Sequence, residues 1–141
     1  MFSGEFEYKI DEKGRVPIPP KFRKDLKDGV VLTTGPENNI NAYTVSEFNK
    51  KAAALTSDTF APAKMRRLNR AFFSSAFHLT IDNQGRIALP APLRAYAGIE
   101  DEVVISGVNT YLEMWDKQQW DAEITISREQ LWQNIESMEH R

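Results

Sequence analysis

Hydrophobic and polar residues alternate strictly in two stretches of this chain. Phe6, Tyr8 and Ile10 alternate with Glu5, Glu7 and Lys9, and Phe77, Leu79 and Ile81 alternate with His78 and Thr80. A period of two predicts half-buried strands. Each stretch runs into Asp-x-x-Gly-Arg, at Asp11 to Arg15 and Asp82 to Arg86. There the carboxylate can accept from backbone donors ahead of it and Gly14 or Gly85 can supply a positive φ, so the chain reverses into a second strand. Val16 and Ile18, like Ile87 and Leu89, face the core from that strand. Pro19-Pro20 and Pro90-Ala91-Pro92 then end it and open a short helix, with Gly29 and Gly98 near the expected helix ends. The apolar runs Val30 to Leu32 and Val103 to Ile105 predict a third strand in each half. Loops at Gly35 to Asn39 and Gly107 to Thr110 lead to returning strands through Ile40 to Tyr43 and Tyr111 to Trp115. Helices follow, opened by the capping boxes Thr44-Val-Ser-Glu47 and Asp116-Lys-Gln-Gln119.

The two halves are copies of one unit. Asp11 to Arg23 realigns, 71 residues on, with Asp82 to Arg94: five of thirteen positions are identical, and Val16/Ile87, Ile18/Leu89 and Phe22/Leu93 exchange like for like. Unrelated segments would share about one position at average residue usage. Tyr43 and Phe48 match Trp115 and Trp120, as core positions of a duplication should.

Two segments stand outside the repeat. Residues 61–76 predict an amphipathic helix with Met65, Leu68, Phe72 and Ala76 on one face and Lys64, Arg66, Arg67 and Arg70 on the other. A tail helix is expected from the capping box Ser127-Arg-Glu-Gln130 to Glu139, with Leu131, Ile135 and Met138 as its apolar stripe and Trp132 beside them. The expected organisation is a first repeat over 1–57, a basic helical connector over 58–76, a second repeat over 77–123 and a helical tail over 124–141.

Composition narrows the function. The 141 residues are 41% hydrophobic and 27% charged, which excludes disordered and collagenous classes. With no Cys there is no thiolate metal site, disulfide or cysteine nucleophile, and only His78 and His140 could supply imidazole. No apolar run reaches the roughly eighteen residues of a membrane helix, and the N-terminus lacks signal-peptide character, so a cytoplasmic protein is expected. The net charge of −2 disguises a strong asymmetry: residues 1–57 carry +1, residues 58–98 carry +4 and residues 99–141 carry −7. An anionic partner would have to meet the first two segments.

The repeated turn admits two readings. It is a hairpin turn in which Asp caps and Arg pairs with it, both serving the fold. Alternatively, the Gly turn holds a planar guanidinium at a sheet edge, suited to phosphate or to a guanine edge. Lys13 gives the first tip a cation, whereas the second tip has Asn83-Gln84, so the first copy is expected to bind more strongly. The basic face of residues 64–70 is either a solvated surface or a set of phosphate contacts. Enzymatic chemistry finds no support: Asp11 and Asp82 sit beside basic residues, and no nucleophile, phosphate loop or metal-binding helix is indicated. No cofactor, metal or small-molecule substrate is expected.

The paired motifs resemble the MraZ family of bacterial transcriptional regulators. The resemblance runs from Met1-Phe2 through Asp11, Gly14, Arg15, Pro19 and Phe22-Arg23 to Asp82, Gly85, Arg86, Pro90 and Leu93-Arg94. It continues through Ala97-Gly98-Ile99, Val103 to Gly107, Glu113 to Asp116 and Trp120. It implies an α+β, AbrB-like swapped-hairpin β-barrel built from two repeats of one chain, and a homo-oligomeric ring that presents the Asp-x-x-x-Arg turns to double-stranded DNA. It further implies G-rich direct repeats upstream of the family's own cell-division and cell-wall operon, and a nucleoid-associated protein. On that reading Arg15 reads bases, Lys13 and Arg86 contribute base or phosphate contacts, Gly14 and Gly85 belong with them to the DNA-binding turns, and Asp11 and Asp82 fix those turns. The polar stretch Pro36 to Asn41 departs from the more apolar sequence usual there. AbrB-like units also occur in antitoxins, so a protein-interaction module is the alternative function.

Overall fold

The computed structural model describes residues 1–56 and 61–140. The expected boundary at 57/58, the first residues of the connector and Arg141 therefore lie outside the described residues. In chain order the elements are β1 (Glu5–Lys9), β2 (Arg15–Pro17), a single 3-10 turn (Pro20–Phe22), β3 (Val30–Thr34), β4 (Ile40–Thr44), α1 (Val45–Thr56) and α2 (Pro62–Phe73). They continue with β5 (Phe77–Leu79), β6 (Arg86–Ala88), α3 (Ala91–Ala97), β7 (Glu102–Gly107), β8 (Leu112–Asp116) and α4 (Lys117–Glu139).

Strand pairing entwines the copies. Six antiparallel strands form one sheet in the order β1-β7-β8-β4-β3-β5, while β2 and β6 form a separate two-stranded ribbon. The first strand of each copy pairs with the third strand of the other: Phe6 lies opposite Ile105 and Phe77 opposite Leu32. A pseudo-twofold axis follows from the registers. It passes between the opposed residues Asn41 and Glu113 in the sheet and between Val16 and Ile87 in the ribbon. Each repeat thus lends a strand to the other and has no complete sheet by itself.

The inward faces make one core. Val16, Ile18, Ile87 and Leu89 meet Val30, Leu32, Ile40, Val103, Ile105, Leu112 and Met114, with Phe22, Leu26 and Leu93 closing the sides. The outer face of the sheet holds two small clusters related by the axis. Val31, Tyr43 and Phe48 anchor α1, and Val104, Trp115 and Trp120 anchor α4. At both expected capping boxes the N-cap half forms, with the Glu47 amide donating to Thr44 Oγ1 at 3.0 Å and the Gln119 amide to Asp116 Oδ2 at 3.2 Å, while the Glu47 and Gln119 side chains turn instead to Lys50 and to the Ala97 carbonyl.

Four details differ from the sequence reading. The expected barrel is open among the described residues: sheet and ribbon stack face to face without joining at an edge. The ribbon strands are three residues long, and the prolines that follow have no amide to extend a ladder. The short helix of the first copy is a single 3-10 turn, whereas its counterpart is a seven-residue α-helix. Ala91, Ala95 and Ala97 favour helix in α3, and Gly98 closes it at φ 66°, while Asp25 and Asp28 stand where a helix C-terminus would repel them. The connector helix spans Pro62–Phe73, leaving Ala76 beyond it. Finally, no separate tail helix starts at Ser127, because α4 runs unbroken for 23 residues. No Gly or Pro interrupts it, and Ser127 gives its hydroxyl to Glu123 Oε1 at 3.2 Å instead of capping.

Candidate nucleic-acid interface

Each Asp-x-x-Gly-Arg turn is built around its carboxylate. Asp11 Oδ1 accepts from the amides of Lys13 and Arg15 at 2.9 and 2.8 Å, and Oδ2 accepts from Arg15 Nε at 2.7 Å. Asp82 repeats the pattern with Gln84, Arg86 and Arg86 Nε at 2.9, 2.9 and 3.0 Å. Gly14 and Gly85 adopt φ of 75° and 77°, the left-handed region that an L-residue rarely takes. These bonds hold both carboxyls below the usual carboxylate range. The amide of the motif arginine is the largest cause in each, opposed by some burial and reinforced by the guanidinium.

The ribbon brings the two turns together. Arg15 lies opposite Ala88, and Pro17 opposite Arg86, so the two arginines flank the buried Val16–Ile87 pair diagonally and point away from the core. Asp11 Oδ2 is also 3.9 Å from Arg86 Nη1, an ion pair that crosses the axis. Each arginine is tied to its aspartate through Nε, which sets the direction of the guanidinium. Among the described residues no hydrogen bond engages the Nη groups of Arg15. The Asp–Arg pair therefore serves the turn and also directs each guanidinium away from the core. Lys13 and Gln84 are exposed at the tips.

Two further arginines complete the site, and the sequence reading gave them no role. Arg94, on α3 of the second copy, lies over Gly14: a Cβ there would stand 3.0 Å from its Cζ. Arg23 of the first copy lies over Gly85, where a Cβ would stand 2.3 Å from its Cζ. Arg23 Nε donates to the Ile18 carbonyl at 2.9 Å, whereas Arg94 Nε is buried without a partner among the described residues. Each turn is therefore buttressed by the other copy, and the Gly14 and Gly85 carbonyls accept from the Leu89 and Ile18 amides, both at 2.8 Å. The available signal was that Arg23 and Arg94 close the thirteen-residue repeat as identical positions.

The α2 cations are not part of this patch. Phe72 and Phe73 anchor α2 on the cluster of Val31, Tyr43 and Phe48, across the sheet from the ribbon, and Lys64, Arg66, Arg67 and Arg70 are exposed there. His78 is exposed on its strand with its ring edge-on to Phe48 at 5.6 Å. The polar stretch at Pro36 to Asn41 is accommodated by a buried ladder. Asn39 Nδ2 donates to Asn41 Oδ1 at 2.9 Å, and Asn41 Nδ2 donates to the Tyr43 hydroxyl at 3.2 Å. No group of His, Asp and Glu suited to a metal ion occurs among the described residues, and no helix there is long and apolar enough to cross a membrane.

Comparison with known proteins agrees with the duplicated unit. A family model described as "MraZ protein, putative antitoxin-like" matches residues 1–71 and again 72–140. Proteins named transcriptional regulator MraZ from two strains of Dehalococcoides mccartyi are 56% and 54% identical over 140 residues, covering 99% of both chains in each comparison. A protein of the same name from Acetivibrio thermocellus is 43% identical over 122 residues, which is 86% of this chain and 85% of that one.

Proposed function

The chain belongs to the MraZ family, and from that premise we propose that it is a transcriptional regulator that reads DNA with the β2–β6 ribbon. The observation that carries this reading is the pair of outward arginines, Arg15 and Arg86, on two aspartate-tied turns of one ribbon. A two-stranded ribbon fits the major groove, roughly 12 Å wide, and a guanidinium pairs bidentately with guanine O6 and N7 for about 1–3 kcal/mol of discrimination. Arg15 reads bases, Lys13 and Arg86 contribute base or phosphate contacts, and Asp11 and Asp82 hold both guanidinia in register. Arg23 and Arg94 support the turns from beneath.

One protomer buries little DNA surface, so the proposal includes a homo-oligomer. Several ribbons on one ring, each on one G-rich repeat, gain affinity through effective concentration. Protomers related by rotation around a ring meet direct repeats, and the operator is placed upstream of the protein's own cell-division and cell-wall operon. Cytoplasmic, nucleoid-associated residence follows from that role.

The test is binding to the DNA immediately upstream of this protein's gene, at two salt concentrations, for the wild type and Arg15→Ala. The variant is expected to lose affinity and repeat preference. Equal affinity with the same preference would refute the assigned reader. The word antitoxin-like in the family description favours the alternative, a protein-interaction module. That reading requires the wild type to bind promoter and unrelated DNA alike.

A further inference from the structure

The outer face of the sheet is unequal on the two sides of the pseudo-twofold axis. Trp115 and Trp120 hold the places of Tyr43 and Phe48, since Val31 opposes Tyr43 as Val104 opposes Trp115. In the first repeat, α2 returns Phe72 and Phe73 onto Phe48, with ring centroids 5.8 and 6.2 Å away. In the second, α4 runs straight on and nothing among the described residues takes that position over Trp120. Trp120 is only 5% exposed, yet its indole Nε1 has no hydrogen-bond partner among the described residues.

Trp120 lines a cavity of about 370 Å³ together with Glu37, Glu113 and Glu123. Glu113 is already engaged, accepting from Trp115 Nε1 at 3.1 Å and from the Tyr111 hydroxyl at 3.4 Å. Burial first, then the charges of Glu123 and Glu113, push the Glu37 carboxyl above its ordinary pKa. Three carboxylates gathered in one notch repel one another and favour a cationic partner.

The equivalent place across the axis has the opposite charge. It is a cavity of about 680 Å³ edged by Lys50 and Lys51 of α1. Lys51 occupies the helix position that Glu123 holds in α4. Lys51 has no ion pair among the described residues, and Lys50 pairs only with Glu47 of its own helix, at 3.2 Å. Beside the acidic notch, the outer half of α4 leaves Leu131, Trp132 and Met138 at 46%, 68% and 67% exposure.

We propose that the acidic notch at Trp120 receives the Lys50–Lys51 face of a second copy, head to tail. The outer half of α4 lies against the same neighbour. The two faces descend from one repeated surface, so they are alike in build and opposite in charge. A heterologous contact of this kind repeats from copy to copy and closes into a ring when the rotation allows. The inference rests on the homo-oligomer proposed above and names its joint.

The experiment is the mass in solution, by light scattering at about 0.15 M salt, of three proteins: wild type, Lys50→Glu/Lys51→Glu, and Glu37→Lys/Glu123→Lys. The wild type is expected at a multiple of 16.1 kDa and each variant alone at 16.1 kDa. An equimolar mixture of the variants should regain the larger mass, because every joint between unlike copies again pairs opposite charges. A wild type at 16.1 kDa would overturn the oligomer itself. Variants that each assemble like an assembled wild type would overturn the joint alone and leave the notch to a different partner. Circular dichroism checks folding; if the glutamate reversal does not fold, the lysine reversal decides, because Lys50 and Lys51 are exposed and make no core contact.

Discussion

Alanine at Gly85 should damage the fold more than alanine at Gly14, although the two glycines hold the same place in the repeat. Both have φ near the left-handed region, at 77° and 75°, so each substitution forces an L-residue into a conformation costing about 1–2 kcal/mol. The difference lies in what sits above them. At Gly14 the new Cβ would approach Arg94 Cζ to 3.0 Å, and Arg94 Nε has no partner to lose when the side chain gives way. At Gly85 it would approach Arg23 Cζ to 2.3 Å, so the guanidinium has to leave and its bond to the Ile18 carbonyl goes with it. A hydrogen bond from a charged donor contributes about 1.5–3 kcal/mol, with the lower part of that range fitting a half-exposed arginine. The expected losses are therefore about 1–2 kcal/mol for Gly14→Ala and about 3–4 kcal/mol for Gly85→Ala. At roughly 2–4 °C per kcal/mol for a chain of this size, the two melting temperatures should differ by about 4–8 °C. Thermal and urea unfolding at one protomer concentration measures this, since assembly makes melting concentration-dependent. Equal losses, or the larger loss at Gly14, would refute the cross-copy buttress.

Three further outcomes follow from the same geometry. Lys13→Ala should weaken DNA binding evenly across sequences and reduce the slope of log K against log salt by about 1, whereas Arg15→Ala should cost about 1–3 kcal/mol and relax sequence preference; titrations at several salt concentrations separate the two. Because α2 is anchored across the sheet from the ribbon, Arg66→Ala/Arg67→Ala should leave promoter affinity within about twofold, and a loss as large as that of Arg15→Ala would place α2 in the interface. Asp11 and Asp82 have carboxyls lowered from 3.8 in the folded chain. Their contribution to stability is thus fully present above that value and is lost as pH falls through the lower folded values. The urea midpoint of Asp11→Asn/Asp82→Asn should accordingly fall less steeply than that of the wild type below about pH 4, and parallel curves would show that the turns draw nothing from these carboxylates.

The legible parts of the site were local ones. Asp11, Gly14 and Arg15 act within five residues, so the spacing alone specifies that a carboxylate caps the turn, a glycine reverses it and an arginine follows. The same locality makes the N-caps at Thr44 and Asp116 readable. Arg23 and Arg94 were visible as repeated identities but had no assignable role, because their contacts lie in the opposite copy. The tail departs from its local pattern for a related reason. Ser127 satisfies a capping pattern, yet a capping pattern starts a helix only when something has ended the previous one, and no Gly or Pro does so between Lys117 and Glu139.

By itself the sequence determined the duplication, the strand and turn order within each copy, and the residues that face the core, since all of these depend on short-range periodicity and turn chemistry. The residue pattern leaves strand pairing open; the family resemblance implies an exchange of hairpins, and the tertiary structure fixes which strands pair and in what register. Backbone hydrogen bonds are the same for any partner, so nothing in Phe6 to Ile10 states that β1 belongs beside β7 of the other copy. That exchange places Arg15 and Arg86 on one ribbon, sets Arg94 over Gly14 and Arg23 over Gly85, and separates the α2 cations from both turns. Two local motifs thereby become a single surface.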